Sequence, residues 1–388
     1  MNIAVFFGGK SPEHEVSIIT GQLIISELKK TEHSVVPVYV SKEGKWFSED
    51  AMGKLDFFTD GTIEEKLKGF KECMLRHDPS GKKMVLVKQG IISKEIVIDL
   101  VFPAFHGMNG EDGTMQGVFE LANVPYVGCG VAASAMTMDK VLTKKMYESE
   151  GIPTTKFIHF NAFDWKKDKD EAIKKAMALN LPLFVKPARL GSSIGIAKVK
   201  NENDLVQACE VALHYDSKVI VEESVENMVD ITCAVMGNDE PVASLVQESV
   251  FNGEHFSFEA KYLEDGGAQL GNATDSIVIP ARLADETTKQ VRDMAIRVYR
   301  LFDCAGLARI DFLYDKAKEV FYVNEVNTMP GTLYHHLWKA SGIEIGDLIS
   351  KLISFAIEKH EEKNGITFTF KNDVLKFANS VKLKMGEK

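Results

Sequence analysis

Cysteine is sparse in this 388-residue chain: Cys73, Cys129, Cys209, Cys233 and Cys304 are widely scattered and odd in number. No CxxC spacing occurs, so neither a zinc ribbon nor a redox dithiol motif is written in the sequence, and a reducing compartment is expected. Long apolar runs are missing as well. Asp99 interrupts even the stretch from 96 to 105, far short of the roughly 18 residues a membrane span needs. There is no excess of positive charge either: 46 Lys and Arg against 56 Asp and Glu leave a net charge of −10, which excludes a protein built to coat nucleic acid. Residues 1–7 have no basic segment ahead of their apolar run and lead straight into Gly8-Gly9. They read as a first strand and not as a signal peptide, so a cytoplasmic protein with no membrane or nucleic-acid partner is expected. The histidines show no HExxH spacing, and no GxGxxG fingerprint occurs, which lowers the prospect of a dinucleotide oxidoreductase.

What is present has ordinary globular composition, 45% hydrophobic and 26% charged, with length for two or three domains. Residues 2–7 read as a strand. Ser11-Pro12 has the pattern of an N-cap with proline in the first helical turn, and Val16, Ile19, Leu23 and Ile24 share one helical face. A strand over 34–40 completes a β-α-β start. Apolar runs at 96–102 and 125–127, with a helix over 115–122 between them, extend it to an open α/β domain ending near Gly128. A helix over 132–150 follows, then strands near 156–160, 183–187 and 194–199 around a helix at 168–178, a smaller α+β unit. From Val219 the chain is strand-rich to about residue 250. The polar segment 252–276 exceeds the usual loop length, as active-site lids and disordered segments do. Helical spacing returns at Val291, Met294, Val298 and Leu301, and again at Ile345, Leu348, Ile349, Leu352 and Phe355. The residues beyond about 366 read as an accessory tail.

Three stretches carry chemistry. In the first, strands 307–313 and 320–327 flank a short polar turn and form a hairpin. Period-2 alternation puts Arg309 and Asp311 on one face of one strand and Glu325 and Asn327 on one face of the other. If Tyr314 pairs with Val320, all four converge. Two carboxylates and an amide oxygen suit Mg²⁺ held together with substrate phosphates. A solvated sheet face is the plain alternative, but Asn327 leads at once into Thr328-Met329-Pro330-Gly331, a stiff turn offering backbone N–H groups. In the second, Lys186 sits on a strand before the small-residue turn 188–195, where backbone N–H groups can approach phosphate oxygens closely. No GK[ST] follows, so this is not a P-loop. The third is the glycine-dense turn His106-Gly107-Met108-Asn109-Gly110-Glu111-Asp112-Gly113.

Together these motifs resemble the ATP-grasp superfamily and, within it, the D-alanine:D-alanine ligase family. Phe7-Gly8-Gly9 with 13–17 (Glu-His-Glu-Val-Ser) is similar to the family's N-terminal signature, and 106–117 to its HGxxGEDGxxQG block. Residues 134–140, 186–195, 259–262 (Glu-Ala-Lys-Tyr), 309–311 and 324–331 complete the resemblance in order along nearly the whole chain. It implies α/β and α+β units in a three-domain ATP-grasp architecture, with expected boundaries 1–128, 129–222 and 223–388. It also implies an ATP-dependent ligase of peptidoglycan synthesis that joins two D-alanines through an acyl phosphate, using Mg²⁺ or Mn²⁺, as a homodimer. By resemblance, Lys140, Lys186, Ser193 and Lys261 meet ATP phosphates, Glu222 the adenine, and Asp230 the ribose, while Asp311, Glu325 and Asn327 hold the metal. Glu15 takes the first substrate's ammonium, with Ser192 and Tyr262 bonded to it across a closed lid. Arg309 and the Gly331 N–H stabilise the oxyanion, His106 belongs to the same pocket, and His336-Leu337 meets the second substrate.

The chain departs from the family pattern in three places. Asp230 stands where Glu is usual, the lid is longer, and His336 replaces a serine that binds the second substrate's carboxylate. An imidazolium there predicts a pH-sensitive contact. The Glu-Ala-Lys-Tyr lid signature implies an amine nucleophile in preference to D-lactate. A ligase with another second substrate, such as D-serine, and a non-catalytic ATP-binding protein are the alternatives.

Overall fold

The computed structural model describes residues 1–78, 83–90, 93–250 and 277–377. Lys261, Tyr262 and the lid expected over 252–276 lie outside the described residues. Strands β1 (Asn2–Gly8), β2 (Ser34–Val40), β3 (Trp46–Phe47), β4 (Cys73–His77), β5 (Met84–Lys88), β6 (Lys94–Ile98) and β7 (Leu100–Pro103) build the first part of the chain. They form a mostly parallel sheet ordered β3-β2-β1-β7 and an antiparallel three-stranded sheet β4-β5-β6. Strands β8 (Phe157–Asn161), β9 (Leu183–Pro187), β10 (Ala197–Val199) and β11 (Lys218–Glu223) form a central antiparallel sheet ordered β10-β9-β11-β8. Strands β12 (Met228–Gly237), β13 (Val242–Ser249), β14 (Ile277–Val278), β15 (Gly306–Asp315) and β16 (Val320–Asn327) form the third, ordered β14-β13-β12-β15-β16.

Alternation accounts for the central sheet: Leu183, Val185, Val219 and Val221 meet Leu205, Cys209 and Ala212 of the Glu202–Tyr215 helix in one core. In the first sheet β1 is buried from Ile3 through Phe7, as a parallel strand covered on both faces must be. One of those faces is covered from the far end of the chain. Leu348, Ile349 and Leu352 of the Ile345–Asn364 helix join Ile18, Ile24 and Ile25 of the His14–Leu28 helix, each burial contributing about 1.5–3 kcal/mol. Among the described residues no helix is long and apolar enough to cross a membrane.

Three local departures from the sequence reading shape the site. The first helix begins at His14, beyond Ser11-Pro12: the Ser11 hydroxyl accepts from the Glu13 N–H in a tight turn, which leaves Glu13 at the helix entrance. The expected helix over 132–150 is two, Val131–Met138 and Lys140–Ser149, because extended backbone at Asp139 breaks it. The Asp139 carboxylate caps the second helix by accepting from the Val141 and Leu142 N–H groups at 3.0 and 3.2 Å. The hairpin also closes one residue out of the expected register, with Asp315 opposite Val320 and Tyr314 opposite Phe321. Left uncorrected, that slip would turn Glu325 and Asn327 to the other face. A bulge at Asn324 restores the pairing, so that Asp311 stands opposite Glu325 and Arg309 opposite Asn327.

Candidate active site

The four polar side chains of the hairpin converge. Asp311 accepts from the Arg309 guanidinium at 2.6–3.1 Å, from the Asn327 amide at 3.0 Å, and from the hydroxyl of Thr232 on β12 at 3.0 Å. Glu325 lies 3.6 Å from the Lys140 ammonium. Asn327 turns its amide nitrogen to Asp311, which directs its oxygen the other way. Two carboxylates and one amide oxygen then fit a hard cation that takes its remaining ligands from phosphates and water. Among the described residues no group of three or more His, Cys, Asp or Glu side chains is gathered to hold a metal unaided. Arg309 is 4% exposed; burial works against its charge, but Asp311, Tyr334 and Glu325 together outweigh burial and raise its pKa. The Tyr334 ring covers the guanidinium at 4.9 Å, fixing it on a face as well as an edge.

A cleft between the central sheet and the five-stranded sheet adjoins this face. Lys186, Ser193, Glu222, Asp230, Asp311 and Glu325 are among the residues that line it. The break at Asp139 starts a helix at Lys140 and delivers its ammonium here, bonded to the Leu190 carbonyl at 2.9 Å. Glu222 is 2% exposed and lies 3.0 Å from Lys186 and 3.3 Å from Lys144. Burial alone would raise its pKa; Lys144 and then Lys186 outweigh burial and hold it at about 2. Burial lowers the pKa of Lys144, and Glu222 only partly opposes that. The second Glu222 oxygen, Oε1, is buried with no hydrogen-bond partner in the described structure. A buried acceptor of that kind calls for a donor, and an exocyclic amine is one. Lys144 and Thr232 were not legible as site residues, since a lysine and a threonine in ordinary helix and strand carry no motif.

The third region corrects the sequence reading. Glu15 is exposed and pairs with Lys42 at 2.6 Å, facing a groove on the first sheet's side of the helix. Glu13 faces the cleft instead, 7% exposed and accepting a hydrogen bond from the Ser192 hydroxyl. Two positions along a helical turn rotate a side chain by about 200°, so only one of the two glutamates can face inward. Glu111 lies in the same cavity as Glu13 and accepts from the Gly107 and Met329 N–H groups at 2.6 and 3.2 Å. Burial, then Glu13, raises its pKa. Gly107, at φ +74°, is required here, since a Cβ would sit 2.5 Å from the Glu13 carboxylate. Arg309 and Lys140 line the same small cavity, together with Glu325 and Asn327.

His106 is buried and neutral: burial, then Arg309, pushes its pKa down to about 4. Its Nε2 is 2.7 Å from the Thr20 hydroxyl, which accepts the Thr332 N–H at 3.1 Å. It therefore holds the turn after Gly331 through Thr20. That turn is left-handed at three successive non-glycine residues, Thr332, Leu333 and Tyr334, a conformation that persists only where surroundings enforce it.

Two family models match the chain. "D-ala D-ala ligase N-terminus" covers residues 2–129 and "D-ala D-ala ligase C-terminus" covers residues 146–354. The chain belongs to the D-alanine–D-alanine ligase family. It is 41% identical to a D-alanine–D-alanine ligase of Caldicellulosiruptor bescii over 95% of this chain and 98% of that protein. With that of Geobacillus thermodenitrificans it is 39% identical at the same coverage. Among solved structures, the Coxiella burnetii D-alanine–D-alanine ligase matches with a TM-score of 0.77 at 29% identity, covering 94% of this chain and 96% of that one. VanG, a D-Ala:D-Ser ligase from Enterococcus faecalis, matches with a TM-score of 0.77 at 34% identity, covering 92% and 99%. The mixed α/β architecture is thus the ATP-grasp fold of these ligases.

The family's second-substrate position is the other point where structure and sequence reading part. His336 donates from Nε2 to the Gln247 amide oxygen at 2.7 Å. Burial, then His335 and Arg309, pushes its pKa down to about 4. It is neutral at physiological pH, so the imidazolium contact expected from sequence does not form. The Leu337 side chain is fully buried in the core. The KM of the second amino acid is accordingly expected to follow the same pH profile in wild type and His336→Ser over roughly pH 6–9. Steady-state kinetics checks this, and a profile that flattens in the variant would contradict it.

Proposed function

We propose that this protein is an ATP-dependent D-alanine:D-alanine ligase that releases ADP and phosphate and supplies the dipeptide for peptidoglycan synthesis. One observation carries the reading: a small cavity lined by Glu13, Glu111, Arg309 and Lys140 shares Lys140, Ser192 and Glu325 with the nucleotide-sized cleft beside it. Carboxylates and cations gathered in one small cavity suit an amino-acid zwitterion next to a bound nucleotide. In this reading the nucleotide lies between the central and C-terminal sheets. Glu222 Oε1 accepts from the adenine amine, Asp230 meets the ribose, and Lys140, Lys186, Ser193 and Lys261 meet the phosphates. Asp311, Glu325 and Asn327 would hold Mg²⁺ or Mn²⁺, which when bound neutralises phosphate charge.

Catalysis then rests on positioning and electrostatics. Glu13, oriented by Ser192, binds the first D-alanine's ammonium. The carboxylate of that D-alanine attacks the γ-phosphate and displaces ADP, and the amine of the second D-alanine attacks the resulting acyl phosphate, displacing phosphate and losing a proton. Arg309 and the Gly331 N–H face the oxyanion that develops. Glu13→Gln is expected to raise the KM of the first D-alanine about 10²-fold, the cost of truncating one side of a buried charge pair. Glu15→Gln should leave it unchanged; the reverse pattern would restore the sequence assignment. The reading as a whole is tested by incubating the enzyme with ATP, Mg²⁺ and D-alanine, measuring ADP, and weighing the product, with D-serine as competitor. Nucleotide turnover without D-alanyl-D-alanine would overturn it.

A further inference from the structure

The groove that Glu15 faces takes no part in the reaction proposed above. It is walled by the start of the His14–Leu28 helix, by Tyr39 near the end of β2 with the turn that follows, and by residues 55–67. Its volume is about 770 Å³, within the roughly 300–1,000 Å³ of small-molecule sites. The buried part of its lining is apolar and aromatic: Ile18, Tyr39 and Phe58 are 4%, 2% and 9% exposed. The Tyr39 ring stands 5.1 Å from that of Phe58 and 5.6 Å from that of His14. Ile19 and Leu55, at 38% and 48% exposure, continue the apolar lining toward solvent.

The charged part of the lining is acidic. Glu15, Glu43, Glu64 and Glu65 are set against a single lysine, Lys42, which already pairs with Glu15 at 2.6 Å. Lys45 and Lys66, close in sequence to these carboxylates, pair with Glu72 and Asp60 instead. One polar group of the buried lining is held ready for a donor. The Gly9 carbonyl can only accept, so His14 Nδ1 donates to it at 2.6 Å. Burial lowers the His14 pKa, and Nε2 of the neutral ring accepts from the Tyr39 hydroxyl at 3.0 Å. The phenol oxygen keeps its own lone pairs, and no donor among the described residues reaches it. Burial, then Glu43, Glu15 and Glu64, raises the Tyr39 pKa, so carboxylates from all three walls act on that hydroxyl.

We propose that this groove is a binding site for an amphipathic organic cation: an alkyl- or arylalkylammonium whose apolar body packs on Ile18, Tyr39 and Phe58 and whose ammonium meets the carboxylates. Each part of that class answers a feature of the lining. Apolar surface removed from water in the groove drives association, and a cation gains further from the faces of aromatic rings. The ammonium donates to the Tyr39 oxygen and supplies the counter-charge that Glu43, Glu64 and Glu65 do not find in Lys42. An anion of the same shape would instead meet four carboxylates. A free amino acid is excluded for a related reason: its carboxylate would find no cation but the paired Lys42, which sets this groove apart from the D-alanine cavity.

The test titrates phenethylammonium into the full-length protein by calorimetry at low ionic strength, with phenylpropionate and phenylethanol as the anionic and neutral analogues. The ammonium is expected to saturate one site and to bind about 10-fold more tightly than either analogue, a preference that added salt reduces. Saturating D-alanine should not displace it. Glu15→Gln removes a charge from the groove and frees Lys42, so it should weaken binding several-fold, whereas Glu13→Gln, in the substrate cavity, should leave it unchanged. Glu64→Gln, on another wall, should weaken it in the same direction; both groove glutamates are exposed, so neither variant endangers folding. No saturable binding of the ammonium, equal affinity for the three analogues, displacement by D-alanine, or weakening by Glu13→Gln and not by Glu15→Gln would each overturn the proposal. No turnover enters the measurement, so its outcome is independent of the ligase reading.

Discussion

Replacing Arg309 by lysine is expected to lower kcat for ADP formation by about 10²- to 10³-fold, the range for loss of one preorganised oxyanion donor, with the KM for ATP little changed. Lysine keeps the charge, so the loss isolates geometry. The guanidinium is held by Asp311 along one edge and by the Tyr334 ring on a face, and a single ammonium on a flexible stem reproduces neither constraint. Arg309→Ala goes further, since it strips Asp311, 8% exposed, of its nearest cation. Steady-state kinetics of the lysine variant decides the point. A kcat within a few-fold of wild type would remove Arg309 from the reacting centre.

Glu222→Gln should cost about 3–5 kcal/mol of stability, because it leaves two buried ammonium groups without their shared counter-charge. Lys144 is 1% exposed on its side chain and Lys186 10%, so water does not replace the lost carboxylate. The pH dependence has a definite sign. The folded pKa of Glu222, about 2, lies below its ordinary value of 4.5. Its contribution is therefore fully present above about pH 4.5 and is lost as pH falls toward 2. Denaturant titrations of wild type and variant should differ most near neutrality and converge through that acid window. A gap that stays constant down to the acid limit would show that the carboxylate is not the source. Because Glu222 lines the cleft and its Oε1 has no partner among the described residues, the same variant is expected to bind ATP more weakly, which fluorescence titration with a nucleotide analogue would read separately.

The hairpin was legible because alternation survives in a strand whatever its neighbours do: Arg309 and Asp311 share a face by backbone geometry alone. Which residues stand opposite them was not, since the turn slips by one and the Asn324 bulge takes the slip back. Strands β4 and β5 escaped notice, and the run at 96–102 divides between β6 and β7, for a different reason. Met74, Leu75 and Val97 are exposed in the β4-β5-β6 sheet, so its strands lack the apolar-in, polar-out pattern from which a half-buried strand is read. Similarly, nothing in 132–150 marks Asp139 as a break, because aspartate is as ordinary on a helix surface as it is favourable at an N-cap.

By itself the sequence determined the inventory and its order: the lysines, the hairpin carboxylates, the glycine turns and the family to which they belong. These follow from residue type and local periodicity, which need no knowledge of distant segments. Tertiary structure alone decided which groups meet. It turned Glu13 inward and Glu15 outward, buried His336 and so removed its charge, and set Glu222 between two lysines. The clearest case is the scarce cysteines. No spacing places them, yet folding sets the Cys129 sulfur 3.5 Å from the Ala305 carbonyl, because close packing depends on the shapes of the cores and not on separation along the chain.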